Sequence, residues 1–243
     1  MIRVGTSGWQ YDDWRGNFYP EDLPKRRWLE LCSRRFPTIE VNNTFYRLPQ
    51  RGTFERWRGE TPEGFCFTVK ASRYLTHVRR LADPEEPVQR LWERALGLGP
   101  RLGPVLFQLP PNYKLDIDRL TGLLGVLPPS MRPALEFRDA SWDVPEVHEL
   151  LDRSKAALVW ADPGPIARQR VTGGWLYLRF HRADSSWEYG TDRLRPWAER
   201  IAGSDAEEIF VYFNNDPGAA AIRDADTMID LLTALVPEQM APM

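Results

Sequence analysis

Chemistry-bearing side chains recur along this chain within or beside short apolar runs: Glu40 and Asn42 in IEVN, Lys70 ending FCFTVK, Gln108 in VLFQL, Glu136 and Arg138 in LEFR, Asp162 ending VWAD, Arg179 and His181 in LRFH, and Asn214 in VYFN. Carboxylates interleaved with arginines, a lysine and a histidine can move protons and hold an anion. Glu136 or Asp162 fits a general base, and His181 or Lys70 an acid. Arg138 and Arg179 suit two-point recognition of phosphate or carboxylate, with Asn42, Gln108 and Asn214 as further ligand-binding groups. Glu40 and Glu136 offer a second chemistry, glycoside cleavage, which needs one carboxylic acid and one carboxylate across the scissile bond. Lys70 becomes a Schiff-base amine only if desolvation lowers its pKa, while nearby Glu40 and Glu136 push toward the charged ammonium.

Glu40, Glu136, Asp162 and His181 could also hold Mg²⁺ or Mn²⁺, whose preference is for oxygen ligands, although the adjacent arginines argue against it. Three histidines, His77, His148 and His181, are too few for a histidine-rich multi-zinc cluster. No glycine-rich loop precedes a Lys-Ser/Thr pair, GTSGW lacks dinucleotide spacing, and Ser7 begins no nucleophile elbow. No nucleotide cofactor is expected.

Such residues need a scaffold that gathers them. Eight segments read as strands: 2–7, 38–42, 65–70, 104–109, 133–138, 156–162, 175–181 and 208–214. Helix-period segments separate most of them. Pro24 and Pro87 suit first turns, Asp192 suits a cap for Leu194, Trp197 and Ile201, and the last helix repeats Ala225, Met228, Ile229 and Leu232. The stretch DPGPIARQRVTGG (162–174) shows no helical period. Eight βα units in one undivided domain, 1–243, imply an α/β fold of the (β/α)₈ TIM-barrel type, irregular, with the helix after strand six missing or rudimentary. Side chains alternate across a strand. The expected inward set is Gly5, Ser7; Glu40, Asn42; Thr68, Lys70; Leu106, Gln108; Glu136, Arg138; Trp160, Asp162; Arg179, His181; and Tyr212, Asn214. The last inward residue of every strand is then polar, at the barrel end where active sites form. Each such group buried alone costs about 1–3 kcal/mol, so the ring must satisfy itself or a ligand.

Composition bounds the partners. Among 243 residues, 42% are hydrophobic and the net charge is −2, so no global field draws the chain to nucleic acid or an anionic membrane. Only four of 32 basic residues are lysines, which makes Lys70 conspicuous. Cys32 and Cys66 have no metal or redox spacing. With no leader-like or membrane-spanning run, a cytoplasmic protein without membrane contact is expected.

Seven blocks carry a resemblance: GTSGWQYDDWRGNFYP (5–20), IEVNNTFYRLP (39–49), FTVKASRYLTHVRRL (67–81), VLFQLPPNY (105–113), LEFRDASW (135–142), YLRFH (177–181) and VYFNND (211–216). In this order they resemble the YecE-like family, domain of unknown function 72. The resemblance implies a TIM-barrel-like fold, comparable in fold to the endonuclease IV group, and no settled reaction or cofactor. It departs at Arg182, where family members often carry glycine, which bears on the mobility of that loop.

The loops add aromatics. Tyr46, Tyr74 and Trp187 lie near Arg47, Arg73, Arg79 and Arg80 and suit stacking against a base or sugar, whereas Trp14, Phe18 and Tyr19 suit a plug at the barrel end. The leading expectation is an enzyme acting by acid/base hydrolysis on a phosphate-bearing, nucleotide or nucleic-acid-like substrate at the C-terminal mouth of the barrel, with a small anionic or nucleotide-like ligand, or nucleic acid, as partner. The alternatives are a carbohydrate-active hydrolase or isomerase, and a binding or scaffold protein without turnover.

Overall fold

The computed structural model describes residues 1–164, 170–181 and 187–242. Eight parallel strands, β1 (Ile2–Ser7), β2 (Thr38–Val41), β3 (Cys66–Lys70), β4 (Leu102–Gln108), β5 (Pro133–Glu136), β6 (Ala157–Asp162), β7 (Trp175–Phe180) and β8 (Glu208–Phe213), close into one barrel in chain order. Closure runs through β1, which pairs β2 on one side and β8 on the other. The helical layer comprises α1 (Trp28–Arg35), α2 (Arg51–Gly59), α3 (Glu85–Ala95), α4 (Ile117–Val126), α5 (Pro145–Arg153), α6 (Gly190–Ala202) and α7 (Ala220–Leu235). Between β6 and β7 the described residues form no helix; the expected irregular crossover lies partly outside them, at 165–169.

The outward faces of the strands, among them Val4, Val41, Val69, Phe107, Leu178 and Val211, are fully buried under the helices. Gly5 lets β1 and β2 approach, because a Cβ there would lie 2.0 Å from the Thr38 carbonyl oxygen. Inside the barrel a separate apolar cluster of Leu106, Ala134, Ala157, Val159, Trp175, Tyr177, Phe210 and Tyr212 fills the lower and middle layers. The Tyr212 hydroxyl pairs with Thr38 Oγ1 at 2.6 Å and Thr68 Oγ1 at 2.8 Å, satisfying the polar groups of that middle layer. At the N-terminal end, the Arg132 guanidinium lies 4.7 Å from the Trp175 ring and 5.4 Å from Phe210, and it pairs with Glu208 at 2.6 Å. Arg3 sits over the same Phe210 and pairs with the same Glu208. The floor is thereby plugged.

Two sequence expectations are corrected here. In β6 the inward residues are Ala157 and Val159, which pack in the interior cluster, while Leu158 and Trp160 face the helices. Register agrees, since Val159 and Ala161 pair with Tyr177 and Arg179. Asp162 therefore shares the outward face of Trp160 and is not part of the inward ring. The cause is that ALVWA is apolar on both faces, so its single polar residue set the wrong phase. Asp192 also lies within the first turn of α6 rather than capping it. The N-terminal amides of Tyr189 and Gly190 instead donate to the Asp224 carboxylate of α7, each at 2.9 Å.

Candidate functional site

The site is built on Arg179 of β7. Its guanidinium is 1% exposed and binds Glu40 of β2 through Nε (3.0 Å) and Nη2 (2.7 Å), and Glu136 of β5 through Nη1 (2.6 Å). Both carboxylates are fully buried. Glu40 also accepts from Ser7 Oγ at 2.8 Å and from the Tyr177 hydroxyl; Glu136 accepts from Gln108 Nε2 at 3.0 Å and pairs with Arg138. Parity alone separates Glu40 and Glu136 around the barrel, but the central guanidinium joins them. Burial would raise the Glu136 carboxyl, yet Arg179 and Arg138 outweigh it and hold it well below the usual carboxylate range. Arg179 is thus a structural counter-charge, not an anion clamp, and Glu136 is an ionised, saturated carboxylate, poorly suited to accept a proton. Neither glutamate is left available to flank a glycosidic bond.

Above this core a hydrogen-bonded chain circles the mouth. Arg138 Nη2 meets both Glu136 and His181 Nε2, the latter at 3.0 Å; His181 Nδ1 meets the Asn214 amide at 3.0 Å, and Asn214 meets Asn42 at 3.0 Å. Burial first, then Arg179 and Arg138, push the imidazole well below its ordinary pKa, so it is neutral. A guanidinium only donates, which makes Nε2 the acceptor and places the proton on Nδ1. With the proton on Nδ1 the Asn214 amide turns its oxygen to the ring, and Asn42 turns with it, presenting Oδ1 to the Asn214 nitrogen in place of the Nδ2 that otherwise donates to Asn214 Oδ1. His181 is a neutral, fixed element of the ring and not a protonated acid.

Lys70, at the end of β3, differs from these groups. It is 8% exposed, and its ammonium makes no hydrogen bond or ion pair with the described residues; it sits 4.5 Å from the centroid of the Phe45 ring, whose other contacts include His77 edge-on at 5.0 Å. Burial, then Arg179, lowers its pKa to about 8 despite Glu40 and Glu136. The glutamates do favour the ammonium, as expected, but burial first and then Arg179 outweigh them, so the net shift is downward.

A second titrating group escaped the sequence reading. Asp216, just beyond β8, has a buried Oδ1 without a partner, and burial pushes its carboxyl up to about 7, opposed by the Tyr11 hydroxyl and assisted by Asp13 and Glu40. Tyr11 also lines a depression of about 200 Å³ with Gly8, Trp9, Gln10, Asn42 and Asn43. The signal was the third polar residue of VYFNND, two positions beyond Asn214.

Of the loop aromatics, Tyr46 (82%), Tyr74 (47%) and Trp187 (39%) are exposed, and Tyr46 and Tyr74 lie in the loops that follow β2 and β3. Trp14 and Tyr19 are buried as a plug, Trp14 donating to the Asp216 carbonyl oxygen at 3.0 Å. Arg182 lies outside the described residues. Among the described residues no three His, Cys, Asp or Glu side chains converge as a metal site. The Mg²⁺ or Mn²⁺ set of Glu40, Glu136, Asp162 and His181 does not assemble: the glutamates are taken by arginine, and Asp162 faces away. No helix among the described residues is long and apolar enough to cross a membrane.

A family model described as "Protein of unknown function DUF72" matches residues 3–242. The UPF0759 protein YunF of Bacillus subtilis (strain 168) is 26% identical, with 99% of each chain covered. The crystal structure of a DUF72 family protein (TM1631) from Thermotoga maritima MSB8 superposes with a TM-score of 0.85 at 29% identity, covering 96% of this chain and 99% of that one. A DUF72 family protein (EF0366) from Enterococcus faecalis V583, at 21% identity and a TM-score of 0.78, shares the fold over 99% of this chain and 100% of that one.

Proposed function

Because the chain belongs to the DUF72 family, whose function is unknown, we propose its role from the site: the barrel mouth binds a small anionic, phosphate- or carboxylate-bearing ligand and moves protons on it. The observation that carries this reading is Arg138. Its Nη2 is fixed by Glu136 and His181, while its Nε is buried without a partner. A buried cationic donor left unpaired is costly, and an anionic oxygen is the acceptor that best satisfies it. Roles differ from those the sequence suggested. Arg138 anchors the anion, Asn42 and Gln108 border it, and Lys70, at the open end of the barrel with a pKa of about 8, exchanges protons with it. Glu40, Glu136, Arg179 and His181 hold the frame. Tyr46, Tyr74 and Trp187 would meet the outer part of the ligand.

The test is calorimetric titration of inorganic phosphate and of a nucleoside monophosphate into the wild-type chain and Arg138→Gln, at several salt concentrations. Arg138→Gln should weaken binding about tenfold or more and flatten the salt dependence. Equal affinity in both proteins, or no binding by wild type, would sink the anion reading. Neutral oligosaccharides binding in its place would favour a carbohydrate ligand, which the exposed Trp187 suits.

A further inference from the structure

We propose that Lys70 is a nucleophilic amine that condenses with the carbonyl carbon of a small anionic carbonyl compound, such as a 2-oxo acid, to form an imine at the barrel mouth. This rests on the anion-binding reading above, which places the anionic group on Arg138, and it adds the substrate class.

Geometry supplies the first support. A nucleophilic amine must be sheltered, unpaired and reachable. Among the described residues Lys70 Nζ has no hydrogen bond or ion pair, it rests on the Phe45 ring, and its residue keeps 8% of its exposure at the open end of the barrel. Its position is fixed from behind: the Lys70 carbonyl accepts from Thr44 Oγ1 at 2.7 Å.

The charge balance gives the second. Glu40 and Glu136 face Arg179 and Arg138, two negative against two positive, so a charge on Lys70 has nothing left to neutralise it. His77, edge-on to Phe45, is likewise pushed toward its neutral form, by burial first and then by Lys70 and Arg73. With its pKa near 8, the Lys70 amine is about half deprotonated at that pH, a free-base fraction roughly a hundredfold above that of an ordinary lysine.

The step balances without a further reagent. The free amine attacks the carbonyl carbon, the C–N bond forms, and the amine proton passes to the carbonyl oxygen to give a carbinolamine. Protonation of its hydroxyl and loss of water then leave the imine, so amine and carbonyl become imine and one water. Solvent at the open end of the barrel supplies the proton that the leaving hydroxyl takes up.

The test is reductive trapping of the full-length chain at pH 8 with cyanoborohydride and either pyruvate or neutral acetaldehyde, read by intact mass and peptide mapping. Pyruvate should give one reduced adduct at Lys70, formed at least about tenfold faster than at Lys25, Lys114 or Lys155. Lys70→Met and Lys70→Arg should abolish it while their thermal melts remain cooperative. The α-amino group is scored separately by mapping. Arg138→Gln should slow trapping by pyruvate but not by acetaldehyde, and inorganic phosphate should compete with pyruvate. Labelling spread evenly over the four lysines, or none at Lys70, overturns the imine. If phosphate still binds the wild type in that case, the anion-binding reading survives. Fast Lys70 labelling that ignores Arg138→Gln and phosphate keeps the imine and removes the anion anchor.

Discussion

At the scale of single residues, burial and pairing rather than residue type decide what each polar group can do. Lys70 gives a prediction with a definite sign. Its folded-state value is lowered from 10.5 to about 8. Its stabilising contribution is therefore complete above pH 10.5 and is lost as pH falls through 8, where the folded chain carries a buried, unbalanced charge. Lys70→Met should be more stable than wild type at pH 7, by on the order of 3 kcal/mol, with the gap closing toward pH 10.5. Denaturant midpoints measured at both pH values check this; a Met variant less stable at pH 7 would contradict it. The sequence could name Lys70, Glu40, Glu136, Arg138, Arg179 and His181 as the chemistry-bearing set. It could not say that Arg179 would consume both glutamates, since that depends on three strands converging on one guanidinium. With the lysine buried beside Arg179, the pull of the two glutamates no longer sets the sign of its shift. Asp216 was missed because its burial comes from the first loop, some 200 residues away in the chain.

At the scale of elements, alternation made seven of the eight strand phases legible. Strands β2, β3, β5, β7 and β8 each lead to a polar residue at the last inward position, with an apolar stripe outside. β6 is apolar on both faces, so nothing in its alternation fixed which face turned inward, and only the register with β7 decides it. The cap of α6 was illegible for a related reason. Its acceptor, Asp224, comes from the next helix, while the local residue Asp192 looked sufficient. Asp224 also accepts from buried Asn215 Nδ2 at 2.7 Å, so one carboxylate ties α6, α7 and the end of β8. Asp224→Ala should cost about 2–4 kcal/mol, combining a lost cap with a stranded buried amide. Hydrogen exchange should show the loss first at the α6 amino-terminal amides. A melting temperature within a degree or so of wild type would refute the shared role.

For the whole molecule, the central ion cluster is a closure device. Arg179 joins strands β2 and β5 across the interior, while β1 contributes Ser7 to the same cluster. Replacing Arg179 with Met strands two fully buried carboxylates, and the expected loss is about 3–5 kcal/mol. The double variant that also carries Glu40→Gln and the triple variant with Glu136→Gln should recover much of it, a coupling readable in denaturant melts. Simple additivity among the three would deny the cluster its role in holding the barrel together.

The other end of the cylinder has its own consequence. With Trp175 and Phe210 wedged under Arg132 and Arg3, the barrel is a cup with a sealed base rather than a pipe. Any ligand of the mouth must therefore come and go by the same doorway, so a molecule already seated there shuts out the next.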